Sequence, residues 1–153
     1  MNTIIALDIS LSSTGVAIFS EAGKIVKLLT VETKGDMDTP MRLSKIAKKM
    51  KEILSFYKPK TVVIEQGFTR FNTSTQQLFR VHGVVNYIFC KVEQIYYYPA
   101  SIRKIVFGKG NLKKEEVQKL ILENYGDIKF STLDESDAYC TGLAYFKEKG
   151  IIQ

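Results

Sequence analysis

The chain has only two cysteines and one histidine among its 153 residues, and this scarcity closes off several chemistries. Two cysteines make no disulfide framework. Cys90 and Cys140 both stand in apolar, helix-like stretches, the setting of buried thiols in a reducing compartment. Two thiols and His82 do not complete a zinc site without carboxylates. His82, in Arg80-Val81-His82-Gly83, has no nucleophile near it in sequence, which argues against a Ser/His/Asp triad. No apolar run approaches the ~18–20 residues of a membrane helix. The start, Met1-Asn2-Thr3, lacks the basic stretch of a secretory leader, and Asp8 interrupts the apolar run that follows. A cytoplasmic protein without membrane contact is expected. Repeats, linkers and low-complexity tracts are also missing, so residues 1–153 read as one domain.

What is present is ordinary in bulk and lopsided in charge. Hydrophobic residues at 45% and charged residues at 25% suit a globular protein and exclude disorder. Lys+Arg number 22 against 16 Asp+Glu, a net charge of +6 that points to a polyanionic partner, either nucleic acid or an anionic membrane surface.

The hydrophobic pattern changes period along the chain. Residues 4–8, 14–19 and 24–33 are short runs rich in Ile, Val and Leu, with Gly23 at a turn, and predict a three-strand antiparallel meander. From Pro40, Met41, Ile46, Met50, Ile53, Leu54 and Tyr57 recur at helical spacing behind Asp38 or Thr39 as N-cap, and Pro59 stops the helix. Residues 61–65 read as a buried strand. A polar loop with Phe68, Thr69, Arg70, Phe71 and Asn72 leads to a helix over 74–93, then a strand over 95–98 ended by Pro99. A basic segment over 101–114, with Gly108 and Gly110, precedes helices over 113–124 and 133–149. The 74–93 helix carries Phe79 and Tyr87 as well as Val81 and Val85, so it is either deeply buried or paired with a partner. Alternation in Tyr96-Tyr97-Tyr98 sends at least one tyrosine to the core. The order β-β-β-α-β-α-β-α-α predicts a mixed α/β layer fold.

Chemistry concentrates in acids. Two strands end in carboxylates, Asp8 and Glu65, and open α/β sheets place ligands at such ends. Either acid alone also serves as a cap for the turn after it. Asp134 and Asp137 open the last helix three residues apart, hence on one face. Acids there complement the helix dipole as well. Capping does not account for acids on two separate strands together with this pair. Four carboxylates without histidine suit Mg²⁺ or Mn²⁺. Two such ions ~3.5–4 Å apart activate water on one side of a phosphodiester and stabilise the leaving oxygen on the other. In a basic chain this points to a nuclease, its lysines neutralising phosphates while its acids hold the ions.

These segments resemble the RuvC-type Holliday junction resolvases of the ribonuclease H-like superfamily. The resemblance is carried by Leu7-Asp8-Ile9-Ser10 with Thr14-Gly15, by Ile64-Glu65-Gln66-Gly67-Phe68, and by Asp134-Glu135-Ser136-Asp137-Ala138, and it runs from Ile4 to Lys147. It implies an α/β ribonuclease H-like mixed sheet, an antiparallel meander joined to parallel strands and flanked by helices. It implies that Asp8, Glu65, Asp134 and Asp137 are catalytic, metal-binding acids holding two Mg²⁺, with Mn²⁺ able to substitute. It implies a homodimer that presents two sites to the two strands of a four-way junction. Phe68 falls where the family inserts an aromatic at the junction centre; packing back on the sheet is the alternative. The family's phosphate-contacting and catalytic lysines fall on Arg103 and Lys114, the latter following Gly108-Lys109-Gly110. Arg70, Lys104, Lys109 and Lys113 complete the expected DNA-contacting set, although a solvated surface charge is an equal expectation for each lysine alone. The sequence departs from the family at Ile9-Ser10, where Pro-Gly is usual, so a tight glycine turn is lost.

The expected activity is therefore metal-dependent nicking of branched DNA, Holliday junctions foremost, leaving 5′-phosphate and 3′-hydroxyl ends. A broader nuclease of forks, flaps and three-way junctions, and a non-catalytic branch binder that keeps the fold, stand as alternatives. Asp8-Ile9-Ser10 with Thr14-Gly15 also weakly resembles the first phosphate loop of sugar-kinase-type ATPases, but no second phosphate loop appears. The expected setting is a bacterial cytoplasm, and the Lys/Ile-rich, tail-less chain suits a bacteriophage version.

Overall fold

Alternation along the first strand decides the layering. The computed structural model describes residues 2–67 and 72–153. Strand β1 (Thr3–Asp8) sends Ile4 and Ala6 to one face and Ile5 and Leu7 to the other, as a period of two requires. All four are buried, so both faces of the sheet are covered. β1 pairs antiparallel with β2 (Ser13–Ser20), which pairs antiparallel with β3 (Ile25–Glu32). On its other side β1 pairs parallel with β4 (Pro59–Glu65), and β4 pairs parallel with β5 (Glu93–Tyr97). The sheet order is β3-β2-β1-β4-β5, the expected meander with parallel strands added.

Parallel neighbours need long crossovers, and helices supply them. Helix α1 (Thr39–Tyr57) joins β3 to β4. Asp38 caps it by accepting from the Met41 amide at 2.8 Å, Pro40 sits in its first turn, and Lys58 leaves it in the left-handed region at φ 46° just before Pro59. Helix α2 (Asn72–Ile88) joins β4 to β5. These two cover one face, with Ile46, Met50, Ile53, Val81 and Val85 against Ile5, Leu7, Val62 and Ile64.

The other face carries α3 (Pro99–Phe107), α4 (Lys114–Tyr125) and α5 (Leu133–Glu148). α5 lies on β1 and β2 with α3 and α4 against it, and every residue from Glu135 to Phe146 is buried. That explains why its sequence is apolar nearly all round. A Cβ on Gly142 would come within 2.3 Å of the Phe19 ring, so this helix packs closer to the sheet than any side chain there would allow.

Several expectations are corrected. The helix over 74–93 stops at Ile88, because turns through Phe89, Cys90 and Val92 lead directly into β5. The basic segment holds a helix that periodicity did not show: Pro99 opens α3 as well as ending the strand, and Gly108 closes it at φ 76°. The element order thus has three final helices. Cys140 is buried as expected, but Cys90, just past the end of α2, is exposed. Tyr97 is buried while Tyr96 and Tyr98 are exposed. Among the described residues no helix is long and apolar enough to cross a membrane.

Candidate active site

The alternation that buries Ile4 and Ala6 beneath α5 places Asp8 on the same face, and in β4 it does the same for Glu65 after Val63. Leu7 is in register with Ile64, so the two acids follow on adjacent strands at their carboxyl ends. The first turn of α5 reaches this edge because β2 carries no side chain there. Gly15, the register partner of Asp8, would clash as any other residue, since a Cβ would lie 2.0 Å from the Asp134 carbonyl oxygen. Asp134 and Asp137, three residues apart, thus come to the sheet beside Asp8.

Lys114, the first residue of α4, joins them. Its Nζ is 3.0 Å from Asp8 Oδ2, 3.0 Å from Asp134 Oδ1 and 2.8 Å from Asp137 Oδ2. The first two contacts are hydrogen bonds. The third is the shortest, and among the described residues the buried Asp137 Oδ2 has no partner besides this ammonium. Ser13 Oγ donates to the second Asp134 oxygen at 2.5 Å. The Asp137 side chain is 2% exposed and that of Lys114 42%, so the lysine is the more open member of the pair.

One ammonium does not neutralise four acids. Burial, opposed by Lys114 and reinforced by Asp137 and Asp134, pushes the Asp8 carboxyl up to about 6. Burial, then the charges of Asp8 and Asp137, pushes Glu65 up to about 8. Asp137 is also raised by burial, with Lys114 pulling the other way. Burial works against the Lys114 ammonium, but Asp8 and Asp137 outweigh it and hold the lysine well above its usual range. Half-buried Arg103 on α3 is near enough to lower both Glu65 and Asp137.

The residues fit a hard divalent cation. The donors are carboxylate oxygens, and one buried oxygen has no partner among the described residues except the Lys114 ammonium. Two acids resist ionisation, first because they are buried and then because neighbouring acids repel their charge. Among the described residues no three such side chains already stand at metal-binding distance. Lys114 stands among the three aspartates, its ammonium on oxygens that a metal ion would otherwise hold.

The expected DNA-contacting set is only partly gathered. Phe68 and Arg70 lie outside the described residues. Lys104, Lys109 and Lys113 are exposed, and among the described residues none pairs with a site acid. Lys109 instead lines a groove with Leu112, Tyr125 and Lys147. Of the two adjacent lysines, it is Lys114 that reaches the acids, whereas Lys113 is the N-cap position of α4. Ser13 at the site and Glu135 beside it were not anticipated. Thr132 and Glu135 do have the spacing of a capping box, the one sequence signal that marks this turn.

Residues 4–144 match the family model described as crossover junction endodeoxyribonuclease RuvC. The chain belongs to the RuvC family. A RuvC from Alkaliphilus metalliredigens is 29% identical over 124 residues, covering 77% of this chain and 76% of the relative. A RuvC from Rhizobium johnstonii is 25% identical over 153 residues, covering 96% and 90%. The fold is that of Thermus thermophilus RuvC, solved in complex with a Holliday junction substrate, at a TM-score of 0.83 and 20% identity over 97% of this chain and 95% of that one.

In this RuvC-family chain the loop after Asp8 closes without a glycine. Ser10 Oγ donates to the Ser13 carbonyl at 2.6 Å and accepts from the Ser13 amide at 3.0 Å. Thr14 Oγ1 donates to the Ser10 carbonyl at 2.7 Å. Hydroxyls thus replace the missing Pro-Gly turn, and Asp8 stays in register with Gly15.

Proposed function

We propose that this RuvC-family chain is a metal-dependent endonuclease that nicks branched DNA and resolves Holliday junctions, residues 1–153 acting as one nuclease domain in a bacterial cytoplasm. The observation that carries this is the convergence of Asp8, Asp134 and Asp137, from β1 and α5, on a single cation, with Glu65 on the adjacent strand. Two Mg²⁺ ions, with Mn²⁺ as substitute, suit this donor set, and when bound they activate water and stabilise the departing 3′-oxygen.

The protein's own groups have separable tasks. Asp8 and Glu65 offer oxygens from the sheet, and Asp134 and Asp137 offer them from α5. Ser13 holds one Asp134 oxygen and so leaves the other facing the site. Lys114, moved off the acids, neutralises charge on the scissile phosphate, and Arg103 adds positive charge beside it. Binding rests on the basic surface and its counterions. Cleavage leaves 5′-phosphate and 3′-hydroxyl ends. A homodimer is supported by α2, where Phe79 is 60% and Tyr87 76% exposed on the helix whose Val81 and Val85 are buried.

One observation favours a second reading: an ammonium already sits where a cation belongs, as in a branch binder that has dispensed with metal. A single gel series separates the two. Labelled four-way, three-way, forked and linear DNA is incubated with Mg²⁺, Mn²⁺ or EDTA, beside Asp8→Asn. Paired symmetrical nicks in the four-way junction, absent with EDTA and in the variant, are expected. Cutting of all branched forms would keep the metal site and widen the substrate. Shifted bands without cleavage under either metal would leave a branch-binding protein.

A further inference from the structure

The first of the two residues between the metal-facing acids of α5 points elsewhere. Glu135 follows Asp134, and a step of about 100° around the helix turns it off the face that Asp134 and Asp137 share. It is 4% exposed, and among the described residues it does not pair with Lys114. Both its oxygens are taken. Oε1 accepts from Thr30 Oγ1 at 3.2 Å, and Oε2 accepts from the Ser131 amide at 2.7 Å. The Thr30 and Thr132 hydroxyls are 2.7 Å apart, and Thr132 Oγ1 accepts from the Glu135 amide at 3.1 Å.

A cap alone does not require this arrangement. In a capping box the acid returns to the amide of the N-cap residue itself. Here it reaches one residue further out, to Ser131, and also a hydroxyl on β3, a strand distant in sequence. From the other side, Ser13 of β2 donates to Asp134. The first turn of α5 is therefore clamped from two strands, by one contact on a metal-facing acid and another on its neighbour.

We infer that Glu135, acting through Thr30 and Thr132, is a positioning residue that sets the metal affinity of the Asp134 and Asp137 pair. This rests on the metal site proposed above. A slip of the helix start would carry both acids together relative to Asp8, and Mg²⁺ tolerates little departure from octahedral geometry. Loss of a group that orients metal ligands typically weakens metal binding 10–100-fold.

The test is Mn²⁺ binding by calorimetry, without DNA, to wild type, Glu135→Ala, Glu135→Gln and Thr30→Val, with thermal unfolding in EDTA alongside. Thr30→Val removes one hydroxyl and little else. Glutamine keeps an oxygen for Ser131 and offers an amide donor to Thr30. Affinity is expected to fall about tenfold or more in Glu135→Ala and about threefold or more in Thr30→Val, with Glu135→Gln close to wild type. Alanine and valine variants that unfold earlier yet bind Mn²⁺ normally would show a cap only and overturn the inference. So would a glutamine variant as weak as alanine at equal stability. Wild-type protein that takes up no Mn²⁺ and cuts no branched DNA would overturn the metal site itself, whereas wild-type cleavage of branched DNA with equal Mn²⁺ affinity in wild type and Glu135→Ala would overturn only this inference.

Discussion

Two lysines meet carboxylates at opposite ends of the sheet, and they differ in almost every respect. At one end, Lys60 at the start of β4 pairs with Glu21 at 2.5 Å, both side chains nearly half exposed. The charges balance, and the hydrogen bond from Lys60 holds the Glu21 carboxyl below its ordinary range. At the other end, Lys114 faces three aspartates, all of them less than a quarter exposed, with Glu65 close enough that Asp8 raises its pKa. A balanced, solvated pair contributes little to stability. An unbalanced buried one opposes folding unless something else supplies charge. The difference separates a surface contact from a site that awaits a cation.

The largest expected effect comes from removing a shared acid. Asp8→Asn should slow single-turnover cleavage of a four-way junction by at least ~10³-fold, about 4 kcal/mol of barrier, with junction binding largely kept. Lys114→Met leaves the three aspartates without their counter-charge. In EDTA at pH 8 it should lose ~1–3 kcal/mol of unfolding free energy, less than the ~3–5 kcal/mol of a fully buried pair because Lys114 is 42% exposed. Saturating Mn²⁺ should shrink that loss, which denaturant titrations with and without metal would show.

Glu65→Gln should act in the opposite direction without metal. A carboxyl raised to about 8 keeps its proton in the folded chain across the range where the unfolded chain has released it. The folded state then binds more protons, so stability falls as pH rises from the ordinary glutamate range to about 8. The variant should remove this slope and be more stable than wild type by ~1–3 kcal/mol at pH 9 but not at pH 4. Unfolding midpoints in EDTA across that range decide it. Lys60→Met is the control at the small end: its unfolding midpoint should fall only slightly, and only above the ordinary glutamate range where Glu21 is charged, and by the same amount with or without Mn²⁺.

The sequence made the scaffold legible where local chemistry was decisive. Alternating apolar runs around Gly23 marked the meander, and Asp38 with Pro40 marked the start of α1. Helix α3 was hidden because nine residues followed by two glycines around a lysine give too short a period, and Pro99 signals a strand's end as readily as a helix's beginning. The overrun of α2 has a similar cause, since Cys90, Lys91 and Val92 contain no glycine or proline to punctuate the turn. At the site, the acids showed through their positions at strand ends and at a helix start. The choice of Lys114 over Lys113 depended on which way one turn of helix faces. Ser13 with Asp134, and Thr30 with Glu135, lie more than 100 positions apart, where no spacing rule reaches.

The claim that the acid cluster is a cation site held back by its own charge is tested most directly by calorimetric titration of Mn²⁺ at pH 7 in buffers of different ionisation heat. Because Glu65 is raised to about 8, binding should release on the order of one proton per chain. That release should vanish in Glu65→Gln. Mn²⁺ binding with no proton release, or no binding above that of Asp8→Asn, would contradict it.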